Sequence, residues 1–262
     1  MKYLFCNGCS FVYGENAGYL LDKDSSWNPK LRFTKILADK LGLEEINLAA
    51  NGESNHYTVR TTYDWIEANK DKVKDTIFIL GATEPLRLEL FQAFKNKYQA
   101  VSMRWVAGAI QYLNKSSDSN DISRTYEEEL YHTQRIFGAD VTLDLGVGWF
   151  KTLLKYFYTD EEEKNVAERL FKFINSHINY RGGKLVMFNS IYDSIKDKSD
   201  FNFYNFPEEP QQRNFWKGYN SHMQDIHGNW KTNCHHPSHI SHEWFANELY
   251  NFILNEKLIS SK

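Results

Sequence analysis

Apolar residues come along this chain in short blocks that end in small or polar breaks, a pattern of alternating strands and helices. Tyr3, Leu4, Phe5 and Cys6 run between Lys2 and Asn7 and stop at Gly8. A short apolar run ending in glycine predicts a buried strand. From Pro29 to Gly42, Leu31, Ile36, Leu37 and Leu41 recur at helical spacing among charges and predict an amphipathic helix. Glu45 to Ala49 predicts a second strand. Asn55 is placed to N-cap a helix running to about Asn69. Thr76 to Leu80, ending at Gly81, is the plainest buried strand. Residues 86–145 are aromatic and mixed in charge, and are expected to be mostly helical with a loop over 114–120. Helices are predicted over 147–157 and 161–180, with Gly182 and Gly183 as the stop. Lys184 to Phe188 predicts another strand, 197–232 a long irregular stretch, and Ser238 to Leu258 a closing helix.

Strands that alternate with helices pack as a parallel sheet covered on both faces. Such sheets carry their sites at the carboxyl ends of the strands. Gly8, Gly52 and Gly81 all fall at those ends. No repeat, low-complexity tract or linker composition interrupts the chain. One domain over 1–262 is therefore expected, with a helical insertion or cap around 90–180 beside the site.

Composition narrows the function. Of the 262 residues, 31 are basic and 34 acidic, giving a formal charge of −3, so a general polyanion binder is excluded and no nucleic-acid partner is expected. No apolar run approaches the roughly 20 residues of a membrane span, and no membrane partner is expected. The start of the sequence is too short in apolar residues for a secretory signal. Three cysteines, Cys6, Cys9 and Cys234, are too few for a disulfide framework, so a reducing, cytoplasmic setting is expected. Aromatic residues make up 16% of the chain although the mean hydropathy is −0.60. Rings must supply much of the core, and Trp105, Trp149, Trp216 and Trp230 are core candidates that could also stack on a sugar.

Chemistry is suggested at both ends of the chain. Ser10 follows the first strand and the turn at Gly8 and Cys9. A serine there is exposed at the sheet's carboxyl edge, where its hydroxyl can attack a carbonyl and its N–H can stabilise an oxyanion. An ordinary turn serine capping the next helix has the same local pattern. Near the other end, Asn233, Cys234, His235, His236, Pro237, Ser238, His239 and His242 form a histidine-rich segment. His236 stands just before the last helix, where it can serve as general base to a serine. The same histidines with Cys234 could bind zinc, but the spacing matches no closed zinc pattern, and no metal is expected. Between these ends, Gly52, Asn55, Thr83 and Arg87 are candidate oxyanion or substrate-binding residues, with Glu89 as a support. Turn geometry alone also accounts for Gly52 and Gly81. Cys9 beside Ser10 is a rival thiol nucleophile.

Order and spacing together resemble the SGNH (GDSL-type) hydrolase family. Gly8-Cys9-Ser10 with Phe11 to Gly14 is similar to block I, usually Gly-Asp-Ser. Trp27, Leu31, Leu37, Ala38, Leu41 and Gly42 resemble the family's first-helix pattern. Asn47 to Asn55 is similar to block II with its glycine, and Ile79 to Thr83 occupies the place of block III. His235-His236-Pro237-Ser238 resembles block V. The resemblance implies a three-layer α/β/α fold with a central parallel sheet, flavodoxin-like in style. It implies Ser10 as nucleophile, His236 as base, and the N–H groups of Ser10 and Gly52 in an oxyanion hole, with no cofactor. The chain departs from the pattern at Cys9, at Thr83 or Glu84 in the place of the third oxyanion donor, and at Asn233, where the family's acid stands three residues before the histidine. Asn233 can orient an imidazole but carries no charge; Asp225 is a distant alternative.

The activity so implied is hydrolysis of an ester, such as a short acyl group on a carbohydrate, through an acyl-enzyme on Ser10. Two other readings share the site: acyl transfer to a hydroxyl instead of water, and a non-catalytic binding or assembly protein that keeps the fold.

Overall fold

The strands are β1 (Tyr3–Asn7), β2 (Glu44–Asn47), β3 (Thr76–Ala82), β4 (Arg87–Gln92), β5 (Lys97–Ser102), β6 (Lys184–Asn189) and β7 (Asn202–Phe203). The helices are α1 (Ser10–Tyr13), α2 (Phe33–Leu41), α3 (Asn55–Ala68), α4 (Asp160–Tyr180) and α5 (His239–Asn255). The computed structural model describes residues 1–15, 17, 28–85, 87–92, 95–102, 152, 160–191, 194–206 and 236–259. These fall into two compact units, 1–84 with 167–262, and 85–166.

The first unit is built on a five-stranded sheet in the order β2–β1–β3–β6–β7, and every pairing in it is parallel. Phe5 lies opposite Phe78, and Cys6 opposite Ile79. Side chains alternate across the sheet, and both faces are apolar. Leu4, Cys6, Ile77, Ile79, Val186 and Phe188 pack with Phe33 and Leu37 of α2 and Phe245 and Leu249 of α5. Phe5, Phe78, Leu80, Leu185 and Met187 pack with Val59 and Ile66 of α3 and Phe171, Ile174 and Ile178 of α4. The result is the α/β/α sandwich with a parallel sheet that the alternation of elements predicts. Rings build the core as the composition demands: Phe5, Phe33, Phe78, Phe171, Phe188 and Phe245 are fully buried.

The strand order decides where a site can form. From β1 the chain passes through α2 to β2 on one side, then through α3 to β3 on the other. The two crossovers part at the carboxyl ends of β1 and β3, the point where open parallel sheets place their sites. Ser10, the connection from Leu48 to Ser54, and Thr83 all follow strands at that edge.

Local boundaries differ from the sequence expectation in three places. Helix α3 is capped by Ser54, whose Oγ accepts the Tyr57 N–H at 3.0 Å; Asn55 is the first helical residue and its side chain turns elsewhere. Both residue types cap well, and the tertiary partner of Asn55 decides between them. The helix expected over 29–42 is broken at Arg32, with a single 3-10 turn at Pro29–Leu31 before α2. In the second unit, part of the segment expected to be helical is an antiparallel pair, β4 with β5, in which Leu88 faces Val101 and Phe91 faces Tyr98. Arg87 to Leu90 alternates polar and apolar residues with a period of two, and Phe91 and Tyr98 form a cross-strand edge-on ring pair. The four tryptophans singled out above, Trp27, all of the helix predicted over 147–157 except Thr152, and residues 207–235 lie outside the described residues. No helix among the described residues is long and apolar enough to cross a membrane.

Candidate active site

The turn after β1 is tight because two chain segments crowd it. Gly8 has φ +153°, and a Cβ there would stand 2.6 Å from Val12 Cγ2 and 3.1 Å from the Gly81 carbonyl oxygen. The Gly8 N–H donates to Asn7 Oδ1 at 2.9 Å. Asn7 Nδ2 in turn donates to the Thr58 carbonyl and to Thr61 and Thr62 Oγ1, at 3.1, 2.8 and 3.1 Å. The end of β1 is thereby tied to α3. Immediately after this anchored turn, Ser10 opens α1. At the first helical position its N–H has no carbonyl one turn earlier to bond. Ser10 keeps 7% of its surface accessible. Cys9, the N-cap, is fully buried in the core beneath α1, so the hydroxyl and not the thiol stands toward the site.

His236 reaches this hydroxyl from the other end of the chain. Its Nε2 lies 3.0 Å from Ser10 Oγ across 226 residues of sequence. Pro237 and the N-cap Ser238 lead directly into α5, which is anchored in the core through Phe245 and Leu249. The imidazole packs against the Phe11 ring at 5.4 Å between centroids. A second group faces the same nitrogen: Glu15 Oε2 stands 3.1 Å from His236 Nε2. When Nε2 carries a proton, the carboxylate can accept it; when Nε2 carries its lone pair, the Ser10 hydroxyl can donate to it.

Glu15 was not singled out from the sequence. Local backbone geometry brings it there: Gly14 takes the left-handed conformation at φ 83°, and the N–H groups of Gly14 and Glu15 both donate to the Ser10 carbonyl, at 3.0 and 3.1 Å. The chain turns back on the peptide of Ser10, and the first carboxylate after it arrives beside His236.

Gly52 adopts φ +76° in the connection between β2 and α3, with no atom within 4 Å of where a Cβ would be. Thr83 follows β3 and is fully buried. Its N–H donates to Asn55 Oδ1 at 2.8 Å, and its carbonyl accepts from Asn55 Nδ2 at 3.2 Å and from Ser194 Oγ. Asn55 thus fastens the β3 loop to α3. Arg87 belongs to β4 of the second unit. Asn233 and Asp225 lie outside the described residues. His242, part of the histidine-rich segment, is fully buried and stacked on Phe33, and its Nδ1 accepts the Phe33 N–H at 3.1 Å. Burial, with the nearby His236, His239 and Arg32, pushes its pKa down to about 3, so it is a neutral structural group. No cluster of three metal-ligating side chains occurs among the described residues.

No family model matches the sequence, and no curated protein matches it. Solved structures do. The psychrotrophic esterase EstA from Pseudoalteromonas sp., in a structure inhibited by monoethylphosphonate, aligns over 99% of this chain and 100% of its own, at 11% identity and a TM-score of 0.48. An acetyl xylan esterase, Est2A, from the rumen bacterium Butyrivibrio proteoclasticus aligns over 97% of this chain and 64% of its own, at 9% identity and a TM-score of 0.43. TesA aligns over 96% and 98%, at 7% identity and a TM-score of 0.40. Likenesses this distant carry neither activity nor substrate to this chain, and a functional reading rests on the geometry of its own site.

Proposed function

We propose that this protein is a serine ester hydrolase that works through an acyl-enzyme on Ser10. The observation that carries the reading is the 3.0 Å contact between Ser10 Oγ and His236 Nε2 at the carboxyl end of β1. Nucleophile and base stand within the reach that proton transfer requires. Ser10 Oγ bonds to the acyl carbon while its proton passes to His236 Nε2, and the carbonyl electron pair moves onto oxygen. The Ser10 N–H, with Gly52 N–H as partner, receives that oxyanion. Collapse breaks the bond to the alcohol oxygen, which takes the proton from Nε2. Water, deprotonated by the same nitrogen, then releases the acid and restores Ser10. The ordering of the blocks along the chain, from Gly8-Cys9-Ser10 to His236-Pro237, supports assignment to the SGNH hydrolases. A short acyl group on a carbohydrate is the substrate class that resemblance favours.

The test is a fluorophosphonate probe with the adduct mapped by mass spectrometry, alongside hydrolysis of p-nitrophenyl acetate. A stoichiometric adduct on Ser10 is expected. His236→Ala should slow both labelling and hydrolysis by roughly 10²- to 10⁴-fold, the worth of a positioned general base. A folded protein that forms no Ser10 adduct would overturn the reading in favour of a non-catalytic binding role.

A further inference from the structure

We infer that Glu15 is a positioning residue for this hydrolysis, its carboxylate holding and charge-balancing the imidazolium that His236 becomes when it takes the Ser10 proton. The inference rests on the Ser10–His236 reading. The position three residues before the base is Asn233, whose amide carries no charge. A carboxylate is nevertheless delivered to the ring, by a different route and to a different atom. Glu15 Oε2 is 3.1 Å from Nε2, the nitrogen that Ser10 Oγ approaches at 3.0 Å.

The backbone makes this placement firm. Glu15 follows the left-handed Gly14, where a Cβ would come within 2.5 Å of Arg32 Cβ, and its N–H is bonded to the Ser10 carbonyl. Nucleophile and carboxylate are therefore held by one short turn and move together. The chemistry follows from the shared nitrogen. Before attack, Nε2 offers its lone pair to the Ser10 hydroxyl. As the Oγ–carbon bond forms, the proton arrives on Nε2, and the new N–H finds a carboxylate acceptor already beside it. A charge-assisted hydrogen bond of this kind is about twice as strong as a neutral one. When the bond to the alcohol breaks, the proton passes from Nε2 to the leaving oxygen. Standing on the Nε2 side, Glu15 also borders the place where the leaving alcohol must lie.

The experiment compares the full chain with Glu15→Gln and Glu15→Asp, using p-nitrophenyl acetate kinetics, the rate of Ser10 labelling by a fluorophosphonate, and thermal melts. Glu15→Gln is expected to melt like the parent and to lose roughly ten- to hundredfold in kcat and labelling rate, with KM changed less than about threefold. Glu15→Asp, which keeps the charge, is expected to recover part of that loss. If the parent labels at Ser10 and Glu15→Gln keeps its kcat, the inference is overturned while the hydrolase reading stands. Equal losses in both variants together with a lowered melting temperature would assign Glu15 a purely structural role and overturn it as well. Failure of the parent to label at Ser10 would overturn the hydrolase reading itself, and this inference with it.

Discussion

Asn55 grips the peptide of Thr83 from both sides, accepting its N–H at 2.8 Å and donating to its carbonyl at 3.2 Å. The two residues lie 28 positions apart, and both are buried, Asn55 at 2% and Thr83 at 0% exposure. The start of α3 and the end of β3 are thereby fixed to each other on the sheet's carboxyl edge. Asn55→Ala leaves the Thr83 N–H without this acceptor in a dry setting. A loss of about 1–3 kcal/mol in unfolding free energy is expected from urea titration. Asn55→Asp keeps the acceptor and loses the donor while burying a charge beside a carbonyl, and is expected to be no better. Parental stability in Asn55→Ala would show that the loop is held by other contacts.

Two glycines at the same edge should respond differently to one added methyl. At Gly8 a Cβ meets Val12 at 2.6 Å in the helix that carries Ser10, whereas at Gly52 it meets nothing within 4 Å. Gly52→Ala therefore incurs only the left-handed backbone strain, about 1–2 kcal/mol. Gly8→Ala adds overpacking of roughly 1–3 kcal/mol to its own strain and pushes α1 out of place. Gly8→Ala is expected to melt lower than Gly52→Ala and to lose Ser10 labelling. Equal melting temperatures would show that α1 yields to the methyl without cost.

What could be read from the sequence follows the range of the interactions. β1, β3 and β6 were legible because burial on both faces leaves unbroken apolar runs such as Thr76 to Leu80. Ser10 and His236 were legible because each adjoins a local punctuation, the glycine turn and His-Pro at a helix start. Glu15 was not, because its meaning depends on a chain reversal that returns it to Ser10 and on a histidine 221 positions away, a separation visible only in space. The capping of α3 was misplaced by one residue because Ser54 and Asn55 have equal local merit, and only the contact with Thr83 separates them. The β4–β5 pair was missed because its alternation spans only four residues of each strand in an aromatic, charged segment.

His242 couples stability to acid. Its pKa is held down to about 3 by burial, and then by His236, His239 and Arg32, against an ordinary value of 6.5. A histidine with a depressed folded-state pKa binds its proton first in the unfolded chain. Stability is therefore whole above about pH 6.5 and falls as pH drops from there toward 3, by up to about 1.4 kcal/mol per pH unit. Between pH 6.5 and 5 most carboxylates stay ionised, so the slope there is chiefly that of the histidines. His242→Gln cannot take up the proton, and its melting temperature is expected to vary less across this interval. An unchanged slope in His242→Gln would assign the acid sensitivity to other groups.

Behind the turn that carries Ser10, Arg32 and Glu45 form a two-pronged pair, Nε to Oε1 at 2.9 Å and Nη2 to Oε2 at 2.8 Å, with side chains 14% and 8% exposed. Glu45 also accepts from Thr34 Oγ1 at 2.5 Å; Asn47 Nδ2 donates to Thr34 Oγ1 at 3.0 Å and to the Val12 carbonyl at 3.1 Å. The network therefore runs from the second strand to the last turn of α1, three residues short of Glu15. Arg32→Met keeps much of the volume but strands a buried carboxylate, and is expected to cost about 3 kcal/mol. If charge compensation is the cause, Arg32→Met with Glu45→Gln should recover a good part of that loss, because no uncompensated charge remains. Thermal and urea unfolding of the two single variants and the double variant close the cycle. A double variant as unstable as the sum of the singles would instead overturn charge compensation as the cause of the loss.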